Sequence, residues 1–149
     1  MIDTVFIDST IFIKFFVEGK NYFEKVSKSI LITSYNVIEE VAYILLKFRA
    51  MNEIKEEKHY KAVEFLRRNP EKLKEFMKEI ETDLKKLLEK YGITVVYPRF
   101  EKFFEISETY GLLPNDALIA ATCEYYGIRK IATFDEDFAK VDFLEVVKV

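Results

Sequence analysis

Residues 115–138 read NDALIAATCEYYGIRKIATFDEDF, and this stretch decides the fold. From Asp116 to Tyr126 it is strongly apolar, which predicts a helix, and Gly127 is placed to close it. Lys130-Ile131-Ala132-Thr133 follows as a short apolar run of the buried-strand kind. Three acids, Asp135, Glu136 and Asp137, then crowd the mouth of that strand, where they must repel one another.

The same alternation extends outward. Val5-Phe6-Ile7 predicts a buried strand ending at Asp8, and Thr10 to Val17 a helix that Ser9 or Thr10 can cap. Tyr22 to Ser29 suits a short helix and Ile30 to Thr33 a second strand. Val37, Val41, Ile44, Leu45 and Phe48 recur at helical spacing, so this helix is buried on one face. Ile54 to Tyr91 is the most charged part of the chain, yet Val63, Leu66, Leu73, Phe76, Ile80, Leu84 and Leu87 keep helical spacing. Pro70 divides that region into two helices. Gly92 is a helix stop, Ile93 to Tyr97 a third strand, Phe100 to Tyr110 a helix closed by Gly111, and Leu144 to Val147 a fifth strand. Strands alternating with helices predict an α/β fold with a mainly parallel central sheet and a charged helical pair inserted around residues 54–91. No Pro/Gly/Ser-rich linker interrupts it, so one domain over residues 1–149 is expected.

Composition removes several chemistries. The chain has 149 residues, a formal net charge of −3 and a pI near 5.4, so nucleic-acid binding would need a local patch or bound cations. With Cys123 the one cysteine and His59 the one histidine, an internal disulfide and a Cys/His zinc site are excluded. His59 lies in the charged run Lys55–Tyr60, where a solvated helix face is expected. Any metal must therefore be held by oxygen. The N-terminal segment is apolar but carries Asp3, Asp8 and Lys14, and no stretch approaches the roughly 18 apolar residues of a membrane span, so a cytoplasmic protein is expected. The four glycines are not clustered, which excludes a Gly-rich nucleotide loop.

Ligands of open α/β sheets bind beyond the carboxyl ends of the strands. Asp8 and Asp135 fall at that edge. Asp116 follows Pro114-Asn115 at a helix start, where capping alone is a sufficient alternative. Glu40 lies in the helix of Val37 and Val41; Glu39 points about 100° away around the helix, and a solvated position for either is open. Glu136 reads as a loop charge, and Asp137 as a cap or a supporting partner.

Together, "VFIDSTIFI", "TSYNVIEEVAYIL", "LLPNDALIAATCEYYGI" and "IATFDEDF" occur in the order seen in PIN-domain ribonucleases, a group that includes the VapC-type toxins. The resemblance covers nearly the whole chain, with residues 54–91 the least similar part. It implies a parallel sheet with helices on both faces. Asp8, Glu40, Asp116 and Asp135 then fall on the family's catalytic, metal-holding quartet. Asp137 falls on a further acid, Thr133 on a supporting hydroxyl, and Ser9 and Asn115 flank the site. Glu40 is preferred over Glu39 because it directly precedes Val41, as the family pattern places it. The implied cofactor is Mg²⁺ or Mn²⁺ and the implied substrate RNA. An antitoxin protein and a second copy of the chain are possible partners.

Such a cluster has a physical reason. Magnesium and manganese prefer hard oxygen ligands, and a bound cation would polarise a phosphodiester oxygen and acidify a bound water. Lys14, Lys20, Arg67, Arg68, Arg99 and Lys102 are candidate phosphate contacts, and Tyr35 and Phe134 could stack on bases. An aspartyl-phosphate hydrolase would place a second Asp where Thr10 stands, and an EF-hand needs a glycine that is missing. The expected activity is metal-dependent endoribonuclease, in a toxin or an RNA-processing role. The alternative is a catalytically silent PIN-like binding or scaffold module, which would be expected to lose acids that are all present here.

Overall fold

Val5, Phe6 and Ile7 are all buried, although successive strand residues point to opposite sides of a sheet. Both faces at this strand must therefore be covered, as in a parallel α/β sheet. The computed structural model, which describes residues 2–149, has that architecture. Its strands are β1 (Thr4–Ile7), β2 (Ile30–Ser34), β3 (Thr94–Val96), β4 (Lys130–Ala132) and β5 (Glu145–Val147). All pairings are parallel, in the order β3-β2-β1-β4-β5. The chain runs outward from β1 through β2 to β3 and then returns to place β4 on the other side of β1. The carboxyl ends of β1 and β4 thus flank the point where the strand order reverses, the ligand-binding position of such sheets.

Among the described residues seven helices surround the sheet: α1 (Ser9–Glu18), α2 (Phe23–Val26), α3 (Tyr35–Ile54), α4 (His59–Arg68), α5 (Pro70–Tyr91), α6 (Phe103–Tyr110) and α7 (Pro114–Tyr126). A 3-10 turn covers Glu136–Lys140. α1, α3 and α5 pack together, and α6 packs on α7. Gly127, at φ 70°, turns the chain out of α7, and the Ile128 N–H donates to the Cys123 carbonyl at 2.8 Å. The chain then enters β4 within three residues.

Several boundaries differ from the expectation. The helix expected over Tyr22–Ser29 is a single turn, Phe23–Val26. α6 starts at Phe103 rather than Phe100, because the Arg99 N–H donates to Thr122 Oγ1 of α7 at 3.0 Å and ties the preceding loop across it. α7 begins at Pro114, whose fixed φ suits the first helical position, so Asp116 is the third residue of the helix and not its cap. Pro70 does divide the charged region, into α4 and α5, but the pair is not a solvated appendage. Ile80, Leu84 and Leu87 of α5 enter the main core, while Ala62, Leu66 and Phe76 form a second small core with Ala50 of α3.

Candidate metal and active site

Asp8 leaves β1 directly, and its N–H donates to the Ala132 carbonyl at 3.1 Å, which locks it beside the end of β4. Its side chain is buried. The Thr133 hydroxyl donates to Oδ2 at 2.6 Å, Thr10 donates to the same oxygen at 3.2 Å, and Ser9 approaches Oδ1 at 3.5 Å. Thr133 Oγ1 in turn accepts the Asp135 N–H at 2.9 Å, so its own proton is directed at Asp8. Asp135 closes the turn by accepting the Asp137 N–H at 2.9 Å; Asp135, not Asp137, is the cap. Asp8 and Ser9 stand at the start of α1, but no side chain caps that helix, and the Ser9 and Thr10 hydroxyls turn to Asp8 instead.

A second chain of polar groups fixes Glu40. Ser34 donates to Asn36 Oδ1, Asn36 Nδ2 to Asn115 Oδ1 at 3.0 Å, and Asn115 Nδ2 to Glu40 Oε2 at 3.0 Å. Glu40 is partly buried whereas Glu39 is exposed, so of the adjacent pair it is Glu40 that turns inward. Asp116, Asp135 and Asp137 each present a carboxylate oxygen within 4.8 Å of the other two, the spacing of groups sharing one ion. Asp8 and Glu40 lie outside that trio and are joined to it by charge.

The electrostatics reflect the crowding. Burial, reinforced by the charges of Asp135, Asp8 and Asp137, pushes Asp116 up to about 7. Burial also raises Asp8, against hydrogen bonds from Thr133, the Ser9 backbone and Thr10. Glu40 is raised by burial and then by the charge of Asp8, with Ser9 and Asn115 opposing. Among the described residues, Lys140 is the one cation paired with any of these acids, at 3.2 Å from Asp137. Hard oxygens, close spacing and uncompensated charge fit a small divalent cation.

Among the described residues, none of the basic candidates forms an ion pair with these acids, although Lys14 Nζ lies 4.8 Å over the Phe134 ring. Lys14 and Lys20 both pair with Glu18 at 3.4 Å, Arg99 with Glu101, Lys102 with Glu124 at 3.3 Å, and Arg68 with Glu64 at 2.9 Å. Tyr35 lies against Tyr97 and Phe134 edge-on to Tyr22. His59 is exposed, and burial raises the Cys123 thiol, so neither offers a competing nucleophilic site. No helix among the described residues is long and apolar enough to cross a membrane. Sequence reasoning overlooked Thr10 as a tie between Asp8 and the Phe134 N–H (3.0 Å), and Asn36 as the support of Asn115. Their signal was slight: small polar residues beside Asp8 and just ahead of Glu40.

A parallel α/β sheet with acids gathered at the β1/β4 switch point defines a class, and the chain belongs to the PIN domain family, whose model matches residues 5–144. Its relatives are more particular. It is 32% identical to Ribonuclease VapC6 of Methanocaldococcus jannaschii over 97% of this chain and 96% of that protein. It is 33% identical to Ribonuclease VapC2 of the same organism, over 97% and 93%. The fold is also similar to a chain in the crystal structure of VapBC2 from Rickettsia felis bound to a DNA fragment from their promoter, with TM-score 0.60 and 15% identity over 97% of both chains.

Proposed function

We propose that the protein is a metal-dependent endoribonuclease, with residues 1–149 acting as one domain in the cytoplasm. The observation that carries this reading is the carboxylate trio Asp116, Asp135 and Asp137 beside Asp8 and Glu40, at the ligand-binding edge of the sheet and short of cations. The names of its relatives, both ribonucleases at about a third identity over nearly full length, support RNA as the substrate. Asp116, Asp135 and Asp137 hold Mg²⁺ or Mn²⁺, with Asp8 and Glu40 completing the negative surround. When bound, such an ion acidifies water and offsets charge on a phosphodiester. Thr133 and Thr10 orient the Asp8 carboxylate, Ser9 supports it, and Asn115 orients Glu40.

A toxin role follows from the VapC names, and with it an antitoxin that covers the acidic edge; RNA processing is the other physiological setting. A second copy of the chain is the partner favoured by the exposed apolar side chains Tyr97, Phe100, Phe104 and Leu113, each at least 71% exposed. Purified protein is expected to cleave RNA with Mn²⁺ and to lose that activity in EDTA and in Asp116→Asn. A protein that holds Mn²⁺ yet cleaves neither single-stranded nor structured RNA would be the silent binding module instead.

A further inference from the structure

On α3, Asn36, Glu40, Tyr43 and Lys47 recur at three and four residues and therefore line one side of the helix. A cavity of about 440 Å³ follows that side, with Glu40 and Asn115 at one end and Tyr43 and Lys47 at the other. A second cavity of about 600 Å³ begins at the same Tyr43 and Lys47 and ends at Tyr60, Arg67 and Arg68 of α4. The two form one trough, acidic where it meets the carboxylate cluster and basic at its far end. Lys47 Nζ lies 4.6 Å over the Tyr43 ring. Tyr43 is 50% exposed and Tyr60 63%. Among the described residues, neither Lys47 nor Arg67 has an ion-pair partner, whereas Glu64 is taken up by Arg68 at 2.9 Å.

We propose that this trough carries the RNA strand between the acidic site and α4, with Lys47 and Arg67 on phosphates and Tyr43 and Tyr60 on bases. The proposal rests on the ribonuclease reading and adds a path to it. Cations beside exposed aromatic faces are the pairing that single-stranded nucleic acid requires, phosphate to cation and base to ring. The rise from Glu40 to Lys47 is about 10 Å, so a strand with one phosphate at the acids reaches the basic end within a few nucleotides. A protein helix is the other conceivable occupant, and it would use the apolar flank of the trough. Leu66, on that flank, is only 5% exposed, and Leu46 and Leu73 are partly buried by the chain's own helices. Tyr43 and Met77 stay exposed on the same flank, so what favours RNA over such a helix is the pairing of the cations Lys47 and Arg67 with the exposed rings of Tyr43 and Tyr60.

The test uses the full chain, a mixed-sequence single-stranded RNA of about 16 nucleotides, and a dinucleotide too short to leave the acidic end. In Lys47→Ala/Arg67→Ala, KM for the long RNA should rise about tenfold with kcat kept, since two phosphate contacts are lost. Dinucleotide cleavage should be unchanged. The salt dependence of long-RNA binding, log Kobs against log salt, should become shallower by about 1.4, or about 0.7 per lost contact. Lys47→Arg/Arg67→Lys should restore both. Unchanged KM and slope in the alanine variant would overturn the path, as would a partner helix that shields Tyr43 and Tyr60 while RNA binding stays the same. Should no form cleave RNA, the ribonuclease reading fails separately. The salt slope of RNA bound to Asp116→Asn, with and without Lys47 and Arg67, then still decides the trough.

Discussion

At the carboxyl edge of the sheet five acids gather, three of them closely, with Lys140 the single paired cation among the described residues, whereas along α4 and α5 most charges have a nearby opposite. Lys61 meets Glu56 at 2.7 Å, Arg68 meets Glu64 at 2.9 Å, Lys72 meets Glu53 at 3.4 Å, and Arg49 of α3 reaches Asp83 at 3.3 Å and Glu79 at 3.7 Å. The arm carries more charge, but that charge is locally balanced and solvated, so each pair contributes little to stability. The edge carries less, but it is partly buried and one-signed. Its raised carboxyls are what burial and like charge produce in a crowded acidic cluster and fit the proposed cation site, while the arm's ion pairs are the mark of a surface.

The sharpest contrast is in activity. Asp135→Asn should lower Mn²⁺-dependent RNA cleavage by about 100-fold or more, since it removes one of the trio and changes the cap that orders Asp137. A single-turnover assay at saturating RNA reads it. Within the arm the large effect is on stability instead. Ile80→Ala, which opens a cavity at a side chain 1% exposed, should cost about 2–5 kcal/mol by denaturant unfolding and leave cleavage by the folded fraction intact.

Much of this division is legible in the sequence. A run such as Val5-Phe6-Ile7 ending in Asp8, or Gly127 between an apolar helix and Lys130-Ile131-Ala132, encodes its structure locally, and those elements lie where the pattern places them. What escapes is set by contacts distant in sequence. α3 ends at Lys55 in a left-handed conformation, φ 56°, where no glycine marks the stop. The delayed start of α6 depends on the Arg99–Thr122 bond, and the supporting roles of Thr10 and Asn36 depend on partners in β4's exit loop and in α7. Periodicity identifies Val37, Val41 and Leu45 on the buried face of α3, but not that Phe48, at the same spacing, is left 40% exposed beyond the edge of the core and Ile44 only partly buried; helical geometry separates Glu39 from Glu40. Only the packed structure brings Glu40 to Asn115 and joins Tyr43 and Lys47 to α4 in one trough. Residues 54–91 show the same limit: their spacing predicts helices, but not that the end of α5 is part of the main core.

Acid–base behaviour should separate the two regions further. Asp116 stands at about 7 in the folded protein against an ordinary 3.8, and Asp8 and Glu40 are displaced in the same direction. Between those values the folded chain keeps a proton that the unfolded chain has released. Stability without metal is therefore greater at the acidic end of that window and is lost as pH rises through about 7. Denaturant midpoints in EDTA at about pH 5 and about pH 8 should show the decline, and Asp116→Asn should flatten it. At the small end of the scale, Lys72→Ala in the arm should leave the denaturant midpoint almost unchanged, with the small loss shrinking further in high salt.

The most direct test of the account is a thermal-unfolding series of wild type and Asp116→Asn in EDTA, Mg²⁺ and Mn²⁺. A cation bound only by the folded state adds about 2.7 kcal/mol at a hundredfold excess over Kd. A clear rise in the wild-type midpoint with Mn²⁺ or Mg²⁺, largely absent in the variant, is the predicted result. Equal midpoints with and without metal in both proteins would contradict the claim that these carboxylates form one cation site.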